Sequence, residues 1–131
     1  HTRSNWVTGV QTCALPISRE GVAELLRETV ARFCSDEFPR GCLVVLAALT
    51  GTPESEAVRD ALSAERGESI RLFRERMRRG IADGDLAADT DMEELATFYA
   101  TVLFGLSVQA KDRVPCERLL AVVERALRAW P

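Results

Sequence analysis

The sequence predicts an all-α fold, an antiparallel bundle of five helices at about 19–34, 41–50, 54–81, 90–112 and 115–130. Three observations lead there. Apolar residues recur at three- and four-residue spacing through four long stretches, the period of an amphipathic helix. The one run that could be a buried strand, residues 42–49 (CLVVLAAL), has no second strand candidate to pair with, so it reads as a short central helix. The stretch 90–112 is apolar on opposite sides, which an ordinary surface helix is not.

The first helix carries Val22, Leu25, Leu26, Thr29, Val30 and Phe33 on one face, with Arg27, Glu28 and Arg32 away from it. The loop Ser35-Asp-Glu-Phe-Pro39-Arg-Gly41 ends that helix, because the residue before a proline disfavours helix. The uncharged 42–49 run comes next. Gly51-Thr-Pro53 then turns into the long helix, with Thr52 or Ser55 as its cap and Pro53 at an allowed early position. Its first half points Val58, Ala61 and Leu62 inward, and its second half Ile70, Phe73, Met77 and Ile81. Those two stripes are offset, and Gly67 between them predicts a bend. Gly84 supplies the stop.

The 90–112 helix opens with a capping box, Thr90-Asp-Met-Glu93. One face gathers Leu95, Ala96, Tyr99, Val102, Leu103, Leu106 and Ala110, and the other Thr97, Phe98, Thr101, Phe104, Gly105 and Val108. The acids stop at Glu94. Two dry faces need two covers, and this chain's core supplies one. The small residues Thr97, Thr101 and Gly105 let a second helix approach closely, which predicts a partner subunit. Pro115 starts the last helix, whose stripe is Cys116, Leu119, Leu120, Val123, Ala126, Leu127 and Trp130.

Residues 1–18 do not belong with this pattern. They show no helical stripe and no acid, and VTGVQTCALPIS is similar to a translated sequencing-adapter sequence. The expectation is a non-native or disordered segment at 1–18 and one domain at 19–131, the chain being truncated upstream.

Several chemistries find no support. With His1 set aside there is no histidine, so Ser-His-Asp and Cys-His catalysis and His-based zinc sites are excluded. Cys13, Cys34, Cys42 and Cys116 lack paired spacing and read as reduced, buried small hydrophobes. No glycine-rich loop follows a strand, so no cofactor site is expected. Asp83/Asp85 and Asp89/Asp91 read as solvated turn and cap residues, leaving no metal site. A net charge of −3 argues against nucleic-acid binding by the chain as given. No apolar run reaches membrane-spanning length and no signal peptide opens the chain, which predicts a cytoplasmic protein. The arginines Arg71, Arg74, Arg76, Arg78 and Arg79 spread around a helix end, where positive charge suits the macrodipole. Arg66 falls within the apolar arc and must pair, turn outward or meet a ligand. Tyr99 places a phenol on the core face, for a carbonyl or a ligand. The chain is expected not to be an enzyme.

Gly41-Cys-Leu43, Gly80-Ile-Ala-Asp-Gly-Asp-Leu86, the turn Ala88-Asp-Thr-Asp91, Phe104-Gly-Leu-Ser-Val-Gln-Ala110 and Leu127-Arg-Ala-Trp130 occur in an order and spacing that resembles one family. Residues 20–131 are similar to the C-terminal ligand-binding and dimerisation domain of TetR/AcrR-family transcriptional repressors. The resemblance implies a two-fold homodimer in which the last two helices dock on their copies. The interface would comprise Thr97, Phe98, Thr101, Phe104, Gly105 and Val108 with Arg118, Val122, Arg125 and Ala129. It also implies a cavity for a small, mostly apolar effector, with Phe33, Leu46, Leu62, Phe73, Met77 and Tyr99 as walls and Arg66 and Ser69 as polar contacts. The helix-turn-helix domain of such repressors is not in this sequence, so operator DNA is expected to be a partner of the full-length protein alone. A stand-alone helical protein–protein interaction module is the alternative use of the same uncharged face.

Overall fold

The computed structural model describes residues 18–47 and 56–131. Among them are five helices and no strand: α1 (Ser18–Cys34), α2 (Leu43–Leu46), α3 (Glu56–Ala82), α4 (Met92–Lys111) and α5 (Cys116–Leu127). The expected cap of the long helix at Thr52 or Ser55, and all of the 1–18 segment except Ser18, lie outside the described residues. Ser18 itself is the first residue of α1. Its backbone N–H and its hydroxyl both donate to the Asp85 carboxylate, the hydroxyl at 2.8 Å. That contact ties the start of α1 to the turn after α3.

Helices α1, α3, α4 and α5 enclose one core, and α2 packs across α3 and α4. The core stripes read from the sequence meet there: Leu26 and Val30 of α1, Phe73 and Met77 of α3, Tyr99, Leu103 and Leu106 of α4, Leu119 and Val123 of α5. Each such side chain gains on the order of 1.5–3 kcal/mol on leaving water.

The ends of the helices follow local chemistry. Past Ala82, Gly84 takes φ +80° and the N–H groups of Asp85 and Leu86 return to the Gly80 carbonyl. Only a residue without Cβ turns that way at little cost. The start of α4 corrects the expected capping box. Asp91 is the N-cap, its carboxylate accepting from the Glu94 N–H at 3.0 Å, while the Thr90 hydroxyl donates to the Ala87 carbonyl. Two capping residues compete one position apart, and the turn at 87–90 uses the threonine first. Between α4 and α5, Arg113 takes φ 63°. The chain doubles back there, and α5 returns along α4 with the Tyr99 hydroxyl 2.8 Å from the Ala126 carbonyl.

Two further expectations are corrected. The first half of α3 does not face this chain's core: Val58 is 58% exposed and Ala61 is exposed as well. The helix runs without interruption through Gly67 and projects its early turns past the neighbours that bury Ser69, Phe73 and Met77. The cysteines are not all reduced. Cys34 and Cys116, 82 residues apart, form a disulfide between the last residue of α1 and the first of α5. Spacing in the chain could not reveal a pairing that the antiparallel packing of α1 on α5 creates.

Candidate functional site

Two features stand apart from the core. The first is a cavity of about 320 Å³ where the end of α1 meets the 38–44 segment, lined by Phe33, Phe38, Pro39, Cys42, Leu43 and Val44, with Thr29, Arg32 and Gly41. Its size is at the lower end of small-molecule sites, and its walls are mostly carbon. Thr29 is already engaged, its hydroxyl donating to the Leu25 carbonyl at 2.8 Å. Arg32 sits with its guanidinium 4.7 Å from the centre of the Phe38 ring, a cation–π pair at the rim. Cys42, the one free cysteine among the described residues, is half-buried in the wall.

Two polar ties hold the α2 side of this cavity. The Cys42 N–H donates to the hydroxyl of Ser107, a fully buried residue of α4, at 2.5 Å. Gly41 precedes it at φ +82°, and a Cβ there would lie 2.8 Å from the Ser107 carbonyl oxygen, so the close approach requires glycine. From α3, Arg66 donates through Nη1 to the Val44 carbonyl at 2.6 Å. This resolves the expected dilemma of Arg66. Its charge meets an orphan carbonyl of a four-residue helix, a charge-assisted bond.

Of the residues expected to wall a pocket, Phe33 alone lines this cavity. Phe73, Met77 and Tyr99 are sealed in the core, and Ser69 is buried with its hydroxyl toward the Glu65 carbonyl. Leu46 and Leu62 are half-buried on the α2–α3 side. Cys42, Phe38 and Pro39 were not expected there. The signal for them was weak, because loop residues carry no periodicity and only the fold brings 38–44 against Thr29 and Phe33.

The second feature is the outward face of α4 and α5. Thr97, Phe98, Thr101 and Gly105 are exposed, and Phe104 and Val108 half-buried. On α5, Arg118, Val122, Arg125 and Ala129 are exposed. Phe98 is 40% and Val122 46% accessible, and nothing lies within 4 Å of a Cβ built on Gly105. The α4 part of this face carries no charge from Thr97 to Val108.

Several arginines of α3 are paired or packed. Arg71, Arg74 and Arg78 pair with Glu68, Glu93 and Glu75, and the Arg76 guanidinium lies against Gly21. A hydrogen bond from Arg78 holds the Glu75 carboxyl below the usual range, and Arg27 does the same to Glu124 across α1 and α5. Burial raises the Tyr99 phenol above its ordinary value. Among the described residues no group of His, Cys, Asp or Glu could hold a metal ion, and no helix is long and apolar enough to cross a membrane.

Comparison with known proteins adds the following. A family model described as the tetracyclin repressor-like C-terminal domain matches residues 19–123. The HTH-type transcriptional repressor ComR of Escherichia coli (strain K12) is 25% identical over 99 residues, 76% of this chain and 47% of ComR. A cysteine mutant of the TetR family transcriptional regulator CifR, solved with 26-base-pair operator DNA, is 90% identical with a TM-score of 0.88. That alignment covers 96% of this chain and 63% of CifR. A TetR transcriptional regulator from Rhodococcus sp. RHA1 is 32% identical with a TM-score of 0.79, over 98% of this chain and 68% of that one. The chain thus spans about half the length of ComR and under two thirds of CifR.

Proposed function

The chain belongs to the tetracyclin repressor-like C-terminal domain family of transcriptional regulators, and from that premise we propose that it is the effector-binding and homodimerisation part of a TetR-family repressor and not an enzyme. The observation that carries the reading is the α4–α5 face. An exposed surface holding Phe98, Gly105 and Val122 with no charge along α4 is what two helices from each protomer need in order to pack together. A two-fold axis through it brings Gly105 of one protomer near the same helix of its partner, so small residues set the closest approach.

The proposed effector is a small, mostly apolar molecule, and the cavity between α1 and the 38–44 segment is the proposed seat. Its wall touches the dimer helix by one direct polar route. Moving Gly41-Cys42 loosens the bond to Ser107, and Ser107 lies one turn from Phe104 and next to Val108 on α4. A ligand that favours one position of the 38–44 segment therefore shifts α4, and with it the relation between protomers. Operator binding is proposed for the whole protein, as in the CifR complex, and cytoplasmic location goes with that role.

Size-exclusion chromatography with light scattering on the chain tests the carrying claim. A mass of two chains is expected, and a monomer at tens of micromolar would overturn the homodimer reading.

A further inference from the structure

We propose that Cys34 and Cys116 are a redox-modification site, a reversible thiol–disulfide pair whose reaction partner is a low-molecular-weight thiol or disulfide and whose state controls the freedom of the cavity wall. The two cysteines join the last residue of α1 to the first residue of α5, with Cα atoms 6.1 Å apart. Both are half-buried, so a small thiolate can reach them. Cys116 stands at the positive end of the α5 dipole, which stabilises the thiolate released there.

The fold does not depend on the bond. Helices α1 and α5 run antiparallel and already hold each other at two places away from it. Arg27 donates through Nε and Nη2 to both oxygens of Glu124, at 2.8 and 2.9 Å. Nearer the start of α1, Arg19 donates to the Leu127 carbonyl at 3.4 Å. Leu26, Val30, Leu119 and Val123 join the same core. The disulfide is the tie at the remaining end, beside the cavity. Phe33 precedes Cys34 and lines that cavity, and the segment leaving Cys34 carries Phe38, Pro39, Gly41 and Cys42. Opening the bond therefore frees the end of α1 and the Phe38-Pro39 side of the cavity wall, while the ties of Cys42 to Ser107 and of Val44 to Arg66, and the rest of the α1–α5 contact, persist.

The chemistry balances with one named couple. A small thiolate attacks one sulfur of the pair, the other leaves as thiolate, and a mixed disulfide remains. A second small thiolate displaces it, so that two thiols become one small disulfide and two protein thiols are formed. The reverse sequence, driven by the small disulfide, oxidises the pair. This inference stands apart from the effector reading, since it needs only α1, α5 and the loop between α1 and α2.

The test equilibrates the chain in mixtures of reduced and oxidised glutathione, quenches with an alkylating agent, and maps the labelled cysteines by mass spectrometry. In parallel, amide exchange is followed in peptides covering 33–46 and 95–107. The pair should pass from mostly oxidised to mostly reduced over roughly a hundredfold change in the glutathione ratio. Exchange in 33–46 should rise roughly tenfold on reduction while 95–107 is unchanged. Cys34→Ser should show the reduced pattern in every mixture; should that variant fail to fold, the titration of the unaltered chain still decides. A disulfide that survives the most reducing mixture, or never forms in the most oxidising, overturns the proposal, as does a titration with no change in 33–46. The mass by light scattering, read on the same samples, reports separately on the homodimer.

Discussion

Replacing Tyr99 with phenylalanine removes one oxygen from the centre of the molecule and leaves the ring. Tyr99 is 0% exposed, with its hydroxyl 2.8 Å from the Ala126 carbonyl and its ring 4.9 Å from Phe98 and 5.5 Å from Trp130, centre to centre. The ring contacts survive the change. The carbonyl also survives, because Ala126 accepts from the Ala129 N–H at 3.0 Å as well. No buried acceptor is orphaned, so the loss is that of one net hydrogen bond, about 1 kcal/mol. A shift in Tm of roughly 4 °C corresponds to that in a domain of this size. The same oxygen gives the folded chain an alkaline limit. Burial raises the phenol pKa in the folded state above the unfolded value, which is near 10. Between those two values the unfolded chain has lost a proton that the folded chain keeps. The stability due to the neutral phenol is therefore complete below about pH 10 and declines as pH rises toward the folded pKa, by up to about 1.4 kcal/mol per pH unit. Tyr99 is the single tyrosine of the chain, so the difference between the two proteins isolates it from Lys111. Urea denaturation of both from pH 7 to pH 11 is the assay. Parallel stability curves above pH 10, or a neutral-pH loss above about 3 kcal/mol, would refute the placement of the hydroxyl between α4 and α5.

Other substitutions test the remaining features. At Gly105 nothing lies within 4 Å of an added Cβ, and Gly105→Leu replaces a poor helix former on an exposed face. It should leave the single chain as stable or up to about 1 kcal/mol more so, while light scattering shows the proposed dimer lost; a two-chain mass unchanged by the substitution removes Gly105 from the proposed interface. Gly41→Ala forces a Cβ into the left-handed region against the Ser107 carbonyl, at a cost of about 2 kcal/mol. Denaturation should show it, with the fastest-exchanging amides at 41–46, and an undiminished stability would mean that the loop does not hold that approach. Cys34→Ser opens a link spanning 82 residues and should cost about 2–4 kcal/mol under oxidising conditions and little under reducing ones. Equal loss in both would mean that the serine, and not the missing bond, is responsible. Ser107→Ala leaves the Cys42 N–H without its acceptor, and protection of that amide should fall with global stability lowered by about 1–2 kcal/mol.

The sequence by itself determined the architecture. Helical periodicity is a local property, and the stripes through Leu26, Met77, Leu103 and Val123 were legible because each repeats within a few residues. Gly84 as a stop, the polar character of the arginine-rich helix end and the core role of Tyr99 were legible for the same reason. Where two local signals competed, as Thr90 and Asp91 do at the start of α4, the pattern alone named the wrong cap. The early turns of α3 failed differently. Val58 and Ala61 have the spacing of a core stripe, but a helix face is buried only where a neighbour reaches it. Everything that joins distant stretches was decided by tertiary structure: the disulfide between Cys34 and Cys116, the Arg66 bond to Val44, the Ser107 hold on Cys42, and the cavity those contacts frame. Each depends on where two helices cross, which is set by the packing of all the stripes together and by no one of them.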